Sequence, residues 1–185
     1  GLKWAMGGRS LEKLQAVRDE IGAPASTPLV VIESSDETSL KSLMAKTRLV
    51  ISAVGPYQLY GNELVKACAE SGVDYVDLCG EPAWMRHMID QHQSAAEKSG
   101  SRLVFSCGFD SSPFDLGVFM AQDEMTKRFG KPAQRVRGRV RKMKGTFSGG
   151  TAASFKATMA AATTQPGVID LLKNPFSLTP GFEGP

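Results

Sequence analysis

The sequence predicts an α/β fold: a doubly wound parallel sheet over residues 1–130, followed over 131–185 by the truncated opening of an α+β domain. Three observations carry this. Short apolar runs recur at 2–6, 29–33, 49–54, 73–78 and 102–107, that at 29–33 being β-branched and continuous. Each is separated from the next by a stretch with helical periodicity. None shows the apolar-polar alternation of a sheet with one wet face. Strands buried on both faces and joined by helices define a parallel sheet, because right-handed crossovers lay the helices over it.

Residues 2–6 are largely apolar and stop at Gly7-Gly8-Arg9-Ser10, after which Leu11, Leu14, Val17 and Ile21 return at helical spacing until Gly22. Residues 29–33 form the next strand, and Asp36 stands at an N-cap position before a helix carrying Leu40, Leu43 and Met44. The third strand, 49–54, breaks at Gly55-Pro56, and a helix over about 61–71 ends at Gly72. The fourth strand, 73–78, gives way to Cys79-Gly80-Glu81-Pro82; a helix over 83–98 follows, Gly100 lies beyond its end, and 102–107 is the fifth strand. Past Gly108, Ser112 as N-cap, Pro113 in the first turn and Asp115 three residues after the cap open a helix reaching Phe129.

Beyond that helix the pattern changes. Arg135, Arg137, Arg139 and Arg141 alternate with Val136, Gly138 and Val140, as expected of an antiparallel strand with one wet face. Four of the ten prolines fall in 166–185, a stretch without periodicity that reads as irregular chain. At the other end, residues 2–6 behave as a second strand, and no Gly-x-Gly-x-x-Gly is present. A first strand, with its glycine turn, is therefore expected to precede Gly1.

With 185 residues, 42% hydrophobic and 22% charged, the chain can bury a substantial core, which excludes disorder. A formal net charge of +3 implies no general affinity for polyanions, so nucleic acid is not an expected partner. No run approaches the roughly 18 apolar residues of a transmembrane segment. Cys68, Cys79 and Cys107 contain no Cys-x-x-Cys pair, which argues against a disulfide framework or zinc knuckle and for a reducing cytoplasm. His87 and His92, five apart, point to different helix faces and read as solvent-facing, so no metal site is expected.

In a doubly wound sheet the ligand lies beyond the carboxyl ends of the strands, so loops 7–10, 34–36, 55–60, 79–82 and 108–112 share one rim. A fold that prefers NAD places an acid after its second strand for the ribose hydroxyls; here that place holds Gly7-Gly8-Arg9-Ser10. The Arg9 guanidinium can pair with a ribose 2′-phosphate, and Ser10 stands at a helix start whose free N–H groups favour anions, which points to NADP. The competing account makes Arg9 a solvated loop residue and Ser10 an ordinary cap. Gly55 allows close backbone approach and Pro56 stiffens the turn. Tyr57, Glu81 and Asp110 are the candidate proton donors or substrate anchors on the rim, although Tyr57 also suits packing and each acid also suits a helix cap. Cys79 and Cys107 end adjacent strands and fit inert thiols better than a nucleophile.

Four separated signatures occur in order: Gly8-Arg9-Ser10-Leu11-Glu12-Lys13-Leu14; Val54-Gly55-Pro56-Tyr57 with Tyr60-Gly61; Asp74-Tyr75-Val76-Asp77-Leu78 with Gly80-Glu81; and Gly108-Phe109-Asp110-Ser111-Ser112-Pro113 with Asp115-Leu116-Gly117. Together they resemble the saccharopine dehydrogenase-like oxidoreductases over nearly the whole chain, and the stretch 145–154 resembles the start of that family's substrate domain. The resemblance implies a Rossmann-type domain, NADP(H) and hydride transfer, with members similar to saccharopine reductases and others similar to trans-acting enoyl reductases of lipid synthesis. It places Arg9 and Ser10 at the 2′-phosphate, Asp36 near the adenine, and Val54, Gly55, Pro56 and Tyr57 beside the pyrophosphate and nicotinamide.

The expected function is therefore an NADP-dependent oxidoreductase acting on a small-molecule or acyl substrate, with this chain inactive on its own. Two other readings stay open: a nucleotide-binding scaffold without catalysis, and binding of an anionic lipid or acidic carrier protein through the basic segment 135–144, which would add peripheral membrane association. The sequence also leaves a homodimer open.

Overall fold

A computed structural model describes residues 1–146, 148–179 and 181–182. The alternation read from the sequence is present, with one added helix, α3, in the expected loop 55–60: β1 (Met6–Gly8), α1 (Leu11–Glu20), β2 (Leu29–Val31), α2 (Glu37–Met44), β3 (Leu49–Ser52), α3 (Tyr57–Tyr60), α4 (Asn62–Ser71), β4 (Asp74–Asp77), α5 (Pro82–Ser99), β5 (Leu103–Val104) and α6 (Ser112–Phe129). Two further helices follow, α7 (Gly149–Thr164) and α8 (Val168–Lys173). Every strand pairing is parallel. β1 lies on β2 with Met6 opposite Leu29, while β3, β4 and β5 form a second ladder with Leu49 opposite Asp74 and Tyr75 opposite Leu103. The fold is α/β, and among the described residues the two ladders are not hydrogen-bonded to each other.

The core gathers on the three-stranded ladder. Leu40 and Met44 of α2, Leu64, Val65 and Cys68 of α4, Tyr75 of β4, and Trp84, Met85 and Met88 of α5 form one buried cluster. Side chains of this size each stabilise the fold by about 1.5–3 kcal/mol when fully removed from water. Helix boundaries follow local chemistry. Asp36 caps α2 by accepting from Thr38 N and Ser39 N, and Ser10 caps α1 by accepting from Lys13 N. Helices α4 and α5 end at Gly72 and Gly100, whose φ values of 71° and 81° are left-handed and suit a residue without Cβ.

Several expectations are corrected. The first strand is Met6–Gly8 rather than 2–6, because pairing with Leu29–Val31 sets its register and leaves Leu2 and Trp4 exposed. The fifth strand is cut to Leu103–Val104, since no ladder extends beyond them. The N-cap of α6 is Ser111, not Ser112, which is the first helical residue.

The basic stretch 135–141 forms no strand: it runs as exposed irregular backbone, and an alternating pattern without a neighbouring strand has nothing to accept its ladder bonds. The described residues past 130 comprise the end of the turn after α6, helices α7 and α8, and irregular backbone. The stretch 166–185 is not wholly irregular either. It contains α8, which packs on α5 through contacts that no local pattern announces, with Val168 buried and Arg86 Nη1 donating to Ser177 O at 3.5 Å. Within the stretches 145–154 and 166–185, residues 147, 180 and 183–185 lie outside those described.

Candidate functional site

The loops at the carboxyl ends of the strands build two clusters. At the ends of β1 and β2, Arg9, Val31, Ile32, Glu33, Asp36 and Ser39 line a cleft of about 270 Å³. Arg9 is exposed on it, directly before the N-terminus of α1, where Ser10 Oγ accepts from Lys13 N at 3.3 Å. The Asp36 carboxylate is committed to α2, with Oδ1 3.3 Å from Thr38 N and Oδ2 3.1 Å from Ser39 N. Arg9 and Asp36 share this cleft, where Val31 and Ile32 supply apolar surface and Glu33 a second acid.

The second cluster forms where β3, β4 and β5 end. Val54 and Gly55 are exposed, whereas Pro56 and Tyr57 are buried. The Tyr57 hydroxyl donates to Ser52 O at 3.1 Å, and its ring lies 5.4 Å from that of Trp84. Burial pushes the Tyr57 phenol up from 10.0 to about 12, so this hydroxyl is turned inward and holds its proton firmly. Glu81 is buried with both oxygens occupied: Oε1 accepts from Tyr57 N at 2.9 Å, and Oε2 accepts from Gln58 N at 3.0 Å and Gln58 Nε2 at 2.9 Å. Asp110 lies exposed in the turn before α6. The three candidate donors are thus not equivalent: two are framework and one faces solvent.

Sequence reasoning missed the residues that fix these loops. Asp77 is buried at the end of β4 and accepts from Tyr75 Oη at 2.9 Å, Cys79 N at 3.0 Å and Ser106 N at 2.8 Å, which joins the β4 and β5 loops. Burial raises its carboxyl above the usual range, and the two backbone donors and Tyr75 oppose that rise. Ser106, at φ 58°, returns a hydrogen bond to Cys79 O at 2.7 Å. A signal existed, since Val73, Tyr75 and Asp77 alternate onto the buried face of β4, which makes an acid there conspicuous.

Gly61 is a second such residue. A Cβ there would sit 2.6 Å from Trp84 Cζ2 and 2.8 Å from Tyr57 O, so the turn between α3 and α4 admits only glycine. The Cys79 thiol is buried and pushed up by desolvation, whereas Cys107 is exposed. His87 is exposed, but His92 is half-buried and its imidazole is lowered by burial, which corrects the solvent-facing reading for that residue. No group of metal-ligating side chains occurs among the described residues, and no helix there is long and apolar enough to cross a membrane.

Parallel strands joined by helices, with polar and glycine-containing loops gathered at their carboxyl ends, define a dinucleotide-binding type of domain. Residues 2–104 match the family described as saccharopine dehydrogenase NADP binding domain, and the chain belongs to that family. It is 38% identical over 177 residues to a putative trans-acting enoyl reductase of Mycobacterium tuberculosis, a match covering 95% of this chain and 42% of the relative. It is 37% identical over 180 residues to a trans-acting enoyl reductase of Mycobacterium ulcerans, with the same two coverages of 95% and 42%. The chain thus spans about two fifths of the length of these relatives. Apo saccharopine dehydrogenase (L-Glu forming) from Saccharomyces cerevisiae superposes with a TM-score of 0.47 at 20% identity, over 65% of this chain and 25% of that one.

Proposed function

We propose that this chain supplies the nucleotide-binding part of an NADP-dependent oxidoreductase that transfers a hydride between NADP(H) and an acyl substrate. The observation that carries the reading is the match of residues 2–104 to an NADP-binding family together with an arginine, not an acid, at the turn after β1. Arg9 and Ser10 would hold the 2′-phosphate, Asp36 would border the adenine while capping α2, and Val54, Gly55, Pro56 and Tyr57 would flank the pyrophosphate and nicotinamide. Hydride chemistry comes from the cofactor, and the protein's part is orientation and field. The name of the relatives, trans-acting enoyl reductase, favours an acyl group with a carbon-carbon double bond as acceptor. Residues 131–185 would begin the part that receives it. The unpaired thiols fit a reducing, cytoplasmic setting.

The test is a titration of the intact protein with NADPH and NADH, followed by NADPH oxidation with an enoyl thioester. NADPH should bind more tightly, and Arg9→Ala should erase most of that preference. Equal affinities would remove the case for NADP, and tight binding without turnover of any acceptor would favour a scaffold.

A further inference from the structure

Helix α3 has only four residues and begins after Pro56, which provides no side-chain cap. Its first N–H groups nevertheless find acceptors, because the Glu81 carboxylate reaches across from the β4–α5 loop. Glu81 is itself held in place. Its N–H donates to Cys79 Sγ at 3.3 Å, and its carbonyl accepts from Met85 N at 3.0 Å in the first turn of α5. A buried carboxylate is costly unless donors surround it, and here all three donors come from the two residues following Pro56.

Gln58 carries the connection further. Its Nε2 donates both to Glu81 Oε2 and, at 3.3 Å, to Thr158 Oγ1 on α7. One turn earlier on α7, Ser154 Oγ lies 3.8 Å from where a Cβ on Gly55 would stand. One carboxylate therefore anchors Tyr57 and Gln58, just after the exposed Val54 and Gly55, and Gln58 links that anchor to α7.

We infer that Glu81 is a positioning residue: its two oxygens anchor Tyr57 and Gln58, which hold the end of the 55–58 loop that would flank the nicotinamide half of the cofactor, and through Gln58 they tie that loop to α7. The inference rests on the NADP reading of the same loop. Glutamine in place of Glu81 keeps the shape but turns an NH₂ donor against N–H donors, so the loop loses at least one anchor.

The experiment compares two ligands on the intact protein. On that reading NADPH would span both clusters, whereas adenosine 2′,5′-bisphosphate would reach only the Arg9 cleft. Glu81→Gln should weaken NADPH by about tenfold and leave the bisphosphate unchanged, with faster amide exchange at Tyr57 and Gln58. Loss of general structural integrity would instead weaken both ligands together. Gln58→Leu removes only the side-chain links and keeps the test alive if Glu81→Gln does not fold; it too should weaken NADPH selectively. Equal effects on both ligands, or none, in the folded variants would overturn the inference. An unsubstituted protein that binds neither ligand would overturn the NADP reading itself.

Discussion

Two glycines on neighbouring turns illustrate how much a single Cβ decides. At Gly61 an added methyl meets the Trp84 ring and the Tyr57 carbonyl, both well inside contact distance and both part of packed structure. Gly61→Ala should therefore destabilise the intact protein by about 1–3 kcal/mol, read as a lower denaturation midpoint. At Gly55 the nearest atoms stand 3.6 Å or more from the same position, in ordinary contact. Gly55→Ala should leave the melting temperature unchanged while weakening NADPH, and a normal NADPH affinity would remove Gly55 from the site.

The buried phenol and thiol make a second prediction at this scale. Burial raises Tyr57 from 10.0 and Cys68 from 9.0, each to about 12. A group whose folded pKa lies above its unfolded value lends full stability below the unfolded value and loses it as pH rises through the folded one. Stability should accordingly fall between about pH 9 and pH 12. Tyr57→Phe should flatten the upper part of that decline in denaturant titrations at stepped pH. An unchanged slope would show that Tyr57 is not buried as described.

At the scale of elements, α8 offers the sharpest case because its place depends on a partner. Six residues are too few to hold a helix in water, so α8 owes its existence to the face it presents to α5. Val168 is the buried residue on that face. Val168→Asp should release the helix and cost at least about 1.5 kcal/mol, with hydrogen exchange rising over 168–173 but not in α4. Uniform exchange changes across the chain would mean that α8 is not a separate layer. Helix α6 contrasts with it: it has 18 residues, a first-turn proline and a glycine C-cap, and none of its side chains is fully buried.

For the whole molecule the decisive feature is a pair of ladders that, among the described residues, no hydrogen bond joins. Each leaves strand edges open, and Leu49, Ile51 and Val54 of the β3 region are exposed, Ile51 by 74%. Open edges beside apolar side chains invite pairing between molecules, and a domain's stability margin is only about 5–15 kcal/mol. The 185 residues expressed alone should therefore associate in a concentration-dependent way, and light scattering should reveal it before any sharp thermal transition. A monomer that melts cooperatively and binds NADPH would contradict this expectation.

What the sequence by itself determined was the alternation of strands and helices through α6 and the caps at Ser10, Asp36, Gly72 and Gly100, all set by neighbours within a few residues. The same holds for the family, since its signatures are short and contiguous. Tertiary structure decided the rest. It turned Glu81 from a candidate acid into a cap for α3, brought Asp77 to the β5 loop, folded α8 onto α5 and left 135–141 without a partner strand among the described residues. Each of these depends on groups more than twenty residues apart, or on a missing neighbour, and no local periodicity encodes which distant donor a buried carboxylate will meet.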